Sequence, residues 1–197
     1  MVEPVDVHLY FNFRSPYCYL ASKTMFEVLD GFHVNVLWRP LGGWEGRSPP
    51  DVAKVKVPVA RQDMARIARR MGIPVNPPPI TTDPTPAGAG SLLAEQRGVL
   101  QEYVVEVMRR EWAEGGDIGD LQVLLEVGER VGLDGGELEA AATDQGHLDR
   151  LRANWEEAQG KGVIGVPTFV VGEEIFWGQD RIDYLEEHLR ELRLVKL

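Results

Sequence analysis

The chain has 197 residues, 44% of them hydrophobic and 26% charged, which fits one globular domain or one domain interrupted by another and leaves little room for long disordered or fibrous stretches. Thirty-one acidic against 21 basic side chains give a formal net charge of −10, so a phosphate backbone is repelled and nucleic acid is excluded as the expected partner. Cys18 is the sole cysteine, which rules out an intramolecular disulfide and a zinc site built on paired cysteines.

From Val5 to Phe13 the residues Val5, Val7, Leu9, Phe11 and Phe13 share one phase, and Asp6, His8, Tyr10 and Asn12 the other, which predicts a strand with one greasier face. Ser15 then stands where an N-cap belongs, with Pro16 at the first helical position. A helix is expected over Tyr17 to Leu29, where Leu20, Met25, Val28 and Leu29 recur at helical spacing. After the Asp30-Gly31 turn a second strand, Val34 to Trp38, completes a strand-helix-strand unit whose crossover is long enough for parallel pairing.

Gly42 to Pro58 reads as a loop, and Val59 to Met71 as an Arg-rich amphipathic helix ending at Gly72-Ile73-Pro74. Its Arg61, Arg66, Arg69 and Arg70 read as a solvated face, given the acidic balance of the chain. Six prolines between Pro74 and Pro86 make a shaped loop. Helical periodicity follows over Ser91 to Glu114, Leu121 to Val131, Glu137 to Ala142 and His147 to Gln159. Strand signals return at Thr168 to Val171 and Ile175 to Trp177, and Asp180 to Arg193 closes as a helix with Ile182, Leu185, Leu189 and Leu192 on one face. The order implies an α/β domain, residues 1–43 and 160–197, split by a helical insertion with a proline-rich loop, residues 44–159.

Residues 1–6 carry two acidic groups and no basic segment, and no run of about eighteen apolar residues occurs, so neither a leader nor a membrane span is expected and the chain reads as cytoplasmic. His8, His33, His147 and His188 include no pair at metal-ligand spacing with a carboxylate, so no metal is expected.

Three runs carry a resemblance: Phe11-Asn12-Phe13-Arg14-Ser15-Pro16-Tyr17-Cys18-Tyr19-Leu20, Gly165-Val166-Pro167-Thr168-Phe169, and Phe176-Trp177-Gly178-Gln179-Asp180-Arg181. In this order around a helical insertion they resemble the DsbA-like branch of the thioredoxin fold that contains 2-hydroxychromene-2-carboxylate isomerases and kappa-class glutathione transferases. The resemblance covers nearly the whole chain. It implies glutathione as cofactor, Ser15 as the catalytic serine, and a cis Val166-Pro167 bond holding the cysteinyl backbone of glutathione. It further implies Gln179, Asp180 and Arg181 around the γ-glutamyl end and Lys56 at the glycine carboxylate, with Arg47 standing where some relatives carry asparagine. Relatives are often dimers, so the resemblance admits a homodimer.

From the residues alone, a hydroxyl at a helix N-terminus is a donor suited to a thiolate and a weak nucleophile without an activating base. The same Ser15 would serve equally as a plain cap, as Asp180 would at the last helix. Cys18 lies one turn into the helix, where a free thiol packs as a small apolar group, with an accessory thiol role as the alternative. Tyr17 and Trp38, with Trp44 and Trp177, are the aromatics available to line a pocket for an aromatic-derived substrate. The expected activity is a glutathione-dependent isomerase or transferase working by reversible addition of the thiolate to an electrophilic carbon. The competing readings are a thiol-disulfide oxidoreductase and a non-catalytic binding module of the same fold.

Overall fold

Strand β1 (Val5–Phe11) places Val7, Leu9 and Phe11 on one face with no exposed surface and turns His8 and Tyr10 to the other, as the alternation predicts. The structure, a computed structural model, describes residues 2–43, 45, 48 and 50–196. β1 pairs in parallel with β2 (Val34–Pro40) and antiparallel with β3 (Thr168–Val171), which pairs antiparallel with β4 (Glu174–Trp177). Among the described residues the sheet order is β2-β1-β3-β4, so Val7 sits between Val36 and Val171 at the centre. The parallel pair needs a helical crossover, and the antiparallel partner of β1, β3, comes from the far end of the chain.

The helix expected over Tyr17 to Leu29 is two short ones, α1 (Pro16–Ala21) and α2 (Met25–Asp30). Between them the Ser22 hydroxyl donates to the Tyr19 carbonyl at 2.7 Å, and Lys23 and Thr24 bond three residues back, which tightens and ends the turn. A larger departure is α3 (Pro50–Met71), which begins within the stretch expected to be a loop and runs through Pro58. An interior proline lacks its own N–H and weakens a helix, by about 3 kcal/mol in an isolated one, so the sequence favours a stop that the fold overrides.

The single helix expected over Ser91 to Glu114 is likewise divided into α4 (Thr85–Gln96), α5 (Leu100–Met108) and a π-helical turn, Arg109–Ala113. α6 (Leu121–Arg130), α7 (Gly135–Thr143) and α8 (Gln145–Gly160) each start at an aspartate, Asp120, Asp134 and Asp144, whose carboxylate accepts from a backbone N–H of the first turn. The last helix, α9 (Ile182–Glu191), starts later than expected, because Gln179–Arg181 forms a 3-10 turn. One hydrophobic cluster joins Leu9, Phe11 and Phe169 of the sheet to Ala89, Tyr103 and Val104 of the helical region, and Leu185 and Leu189 of α9 complete it. Among the described residues no helix is long and apolar enough to cross a membrane.

Candidate functional site

The chain leaves β1 through a turn that Asn12 organises. Asn12 is buried, its carboxamide oxygen accepts from the Arg14 N–H at 2.9 Å, its carbonyl accepts from the Ser15 N–H at 3.0 Å, and its amide donates to the Glu45 carbonyl at 3.2 Å. This fixes Ser15 in extended backbone at the N-cap of α1, with Pro16 following. The Ser15 hydroxyl accepts from the Cys18 N–H at 3.3 Å and donates to the Val166 carbonyl at 3.3 Å, across 151 residues of sequence.

Val166 precedes Pro167 through a cis peptide bond, the geometry the resemblance implies. Around it, Thr168 donates to the Gly165 carbonyl at 2.7 Å, and a side chain on Gly165 would run into the Trp177 ring at 2.8 Å, so the loop is closed over that indole. The Pro167 carbonyl accepts from the Gly178 N–H at 2.9 Å. Gly178 has φ of +114°, which an L side chain rarely adopts, and a Cβ there would lie 2.6 Å from the Asp180 carboxylate. That glycine lets the chain turn straight from β4 into Gln179–Arg181 beside the Val166-Pro167 loop. Asp180 and Arg181 pair at 3.5 Å with both side chains about half exposed, and the Arg181 guanidinium lies over Tyr184 at 5.6 Å. Ser15, Val166, Pro167, Gln179, Asp180 and Arg181 are thereby brought into one neighbourhood.

Tyr17 stands at its edge. Its hydroxyl donates to Asp63 of α3 at 3.4 Å, and burial first, then the charge of Asp63 and that of Asp180, hold the phenol above its ordinary range. Tyr17 also lines a groove of about 630 Å³ whose other wall is the outer side of α3: Asp51, Val52, Val55, Lys56, Val59 and Ala60. Val55 and Val59 are 74% and 62% exposed. Lys56 sits in this groove and donates to Ser48 at 3.1 Å.

Two expectations are corrected. Trp38 lines no pocket: it is 1% exposed, donates its indole N–H to Ser91 at 2.9 Å and packs on Phe11 and Phe13, because the buried alternation of β2 turns it into the core. Cys18 offers no accessory thiol at the surface. It is fully buried, and burial pushes its thiol up to about 12, against the opposing hydrogen bonds of Asn12 and Ser15. Trp44 and Arg47 lie outside the described residues. Among the described residues no cluster of three or more His, Cys, Asp or Glu could hold a metal ion.

Residues 6–190 match the model of the DSBA-like thioredoxin domain. The chain belongs to the DSBA-like thioredoxin family. Within that family it is 28% identical over 201 residues to a 2-hydroxychromene-2-carboxylate isomerase of Sphingobium xenophagum, covering 96% of this chain and 99% of the relative. It is 24% identical to the human glutathione S-transferase kappa 1, covering 95% of this chain and 92% of that one. A solved 2-hydroxychromene-2-carboxylate isomerase superposes with a TM-score of 0.81 at 26% identity, covering 95% and 96% of the two chains. This DSBA-like chain is thus related to named isomerase and transferase enzymes.

Sequence reasoning missed Asn12, Arg14 and Asp63. Asn12 carried a signal, since a polar residue at the exit of a strand, two before an Arg-Ser-Pro turn, is placed to bond the turn's backbone. Asp63 carried none, because its contact with Tyr17 depends on how α3 packs against α1.

Proposed function

We propose that the chain is a glutathione-dependent enzyme of the 2-hydroxychromene-2-carboxylate isomerase or kappa transferase type, acting in the cytoplasm on an electrophilic aromatic-derived small molecule. The observation that carries this reading is the meeting of the Ser15 hydroxyl with the Val166 carbonyl at 3.3 Å, with Asp180 and Arg181 tied to the same loop through Gly178 and Pro167.

The residues fit glutathione by their chemistry. An acidic and a basic side chain lie exposed side by side, which suits a group bearing both an ammonium and a carboxylate, and a hydroxyl donor stands within one peptide unit of Val166. When bound, glutathione would supply a thiolate that adds reversibly to a conjugated carbon of the substrate. With glutathione bound, Ser15 would turn its O–H from the Val166 carbonyl to the sulfur and hold the negative charge there. Asp180 would accept from the γ-glutamyl ammonium, Gln179 and Arg181 would donate to its carboxylate, the Val166 peptide would align the cysteinyl backbone, and Lys56 would meet the glycine carboxylate. Tyr17 and the exposed valines of α3 would cover the apolar side of the substrate.

The oxidoreductase alternative loses support from Cys18, whose buried, proton-retaining thiol presents no thiolate for exchange. Calorimetric titration with glutathione tests the reading. Binding is expected in the native protein, with Asp180→Ala weakening it by about 1.5–3 kcal/mol and Ser15→Ala slowing turnover by roughly ten- to a hundredfold. Unchanged affinity in the Asp180 variant, or rapid addition of one glutathione to Cys18 from the oxidised form as seen by intact mass, would overturn it.

A further inference from the structure

Glu157, in the last turn of α8, is bound to two strands at once. Its carboxylate accepts from the Tyr10 hydroxyl of β1 at 3.0 Å and from Arg39 Nε of β2 at 2.9 Å, and it lies 2.8 Å from His8 Nδ1. Tyr10 and Arg39 are partners in the register of β1 and β2, so the end of α8 is fixed against the sheet. Burial first, then Glu157, holds the Tyr10 phenol above its ordinary range, so it remains a donor to that carboxylate. From α8 the chain runs directly to the candidate site. The Val163 N–H donates back to the Ala158 carbonyl of α8 at 2.9 Å, and Val163 and Val166 both pack with Tyr10, Ala158 and Val170. Thr168, the β3 partner of Tyr10, donates to the Gly165 carbonyl at 2.7 Å.

We propose that Glu157 is a positioning residue for this site: by holding the end of α8 and Tyr10 together it sets where the Val166 carbonyl stands relative to Ser15. The inference rests on the glutathione reading above and adds a support from outside the residues that reading places on the ligand. Glu157 acts through Tyr10 and the end of α8, not on the ligand itself. The Ser15 hydroxyl donates to the Val166 carbonyl at 3.3 Å, long for a bond between two oxygens, so a small displacement of Val166 breaks it. A close-packed interior passes such displacements on. With the Glu157 carboxylate removed, the Tyr10 hydroxyl and the Arg39 guanidinium lose their common acceptor, and the end of α8 loses its tie to both. Val163 and Val166 then rest on a cluster whose Tyr10 ring is no longer anchored at its hydroxyl. A peptide lying along Val166 meets a carbonyl and an N–H out of place, whereas Asp180 and Arg181, on the far side of Gly178, keep their pairing.

The test is calorimetric titration of the full chain with glutathione, with hydrogen exchange measured on the same variants. Glu157→Ala is expected to weaken glutathione binding by about tenfold. Glu157→Gln, which keeps the length but replaces one acceptor oxygen with an NH2, should weaken it by about threefold. Amides of residues 161–167 should exchange faster in Glu157→Gln while those of α5 keep their native rates. Leu124→Ala, which opens a cavity at a fully buried position of α6 and costs stability, should leave glutathione affinity within about twofold of native. A purely structural role for Glu157 would instead make affinity follow stability in both positions. If Glu157→Ala fails to fold, Glu157→Gln decides alone. Native affinity in Glu157→Gln, exchange at residues 161–167 no faster than native, or Leu124→Ala weakening glutathione as much as Glu157→Gln overturns this inference and leaves the cofactor reading standing. Failure of the native protein to bind glutathione overturns that reading and this inference with it.

Discussion

On one face of β1, Val7, Leu9 and Phe11 meet helices through apolar contact alone; on the other, His8 and Tyr10 meet α8 through a carboxylate. Glu157 accepts from the Tyr10 hydroxyl at 3.0 Å and from Arg39 Nε at 2.9 Å, and its carboxylate lies 2.8 Å from His8 Nδ1. A small apolar cluster of Tyr10, Ala158, Val163 and Val170, with Trp155 and Val166 against it, completes that face. One sheet is thus closed by two kinds of force. Apolar burial holds at any pH, whereas the α8 side depends on the ionisation of a few groups, and Val166 of the candidate site packs against both.

Removing one member from each side separates the two forces. Leu9→Ala deletes a fully buried side chain and should cost about 2–5 kcal/mol in urea unfolding. Glu157→Ala should cost less, about 1–3 kcal/mol, since it leaves the Tyr10 hydroxyl and Arg39 without their acceptor at a partly exposed position. Equal losses would erase the distinction.

A smaller effect separates the faces by pH. Burial pushes the Glu157 carboxyl up, but Tyr10, Arg39 and His8 together outweigh it and hold it below its ordinary 4.5. Burial first, then the charges of Lys161 and Arg39, hold His8 below its ordinary 6.5 despite the pull of Glu157. In both cases the folded state binds its proton less readily than the unfolded one, so stability is fully present above 6.5 and falls with acidification, through His8 first and through Glu157 below 4.5. Unfolding midpoints measured from pH 7.5 downward should show this slope in the native chain and in Leu9→Ala. The part between neutrality and about pH 5 should flatten in His8→Gln.

The smallest effect is expected at a third kind of surface. Val55 on α3 faces the groove and is 74% exposed, so Val55→Asp should change stability by less than about 0.5 kcal/mol. A loss comparable to that of Leu9→Ala would mean that the groove side of α3 is closed against another surface in solution.

Much of this architecture is legible in short stretches of sequence. The two phases of β1, the Ser15-Pro16 helix start, the Thr168–Val171 strand and the apolar stripe of α9 follow from periodicity and local capping, which act within a few residues. Element ends were harder. The breaks at Ser22–Thr24 and at Arg97–Val99 interrupt stretches whose apolar spacing continues across them, and Pro58 argues for a stop inside what is one helix. For the site, the sequence pointed to Ser15 and Asp180 through a family resemblance. Periodicity offered nothing to join them, since Ser15 and Val166 are 151 residues apart.

By itself, then, the sequence determined which segments alternate, which coil, and that one lone thiol and one capping serine share the first helix, because these depend on residues in covalent reach of one another. Packing between distant segments is what made Trp38 core rather than pocket, kept the proton on Cys18, buried Glu111 near Arg14 in the π turn, and tied Gly178, two residues before Asp180, to the Pro167 carbonyl. Each of those depends on what packs against a side chain from a distant part of the chain, and burial and partner charge, which set both place and protonation, exist only once that packing is complete.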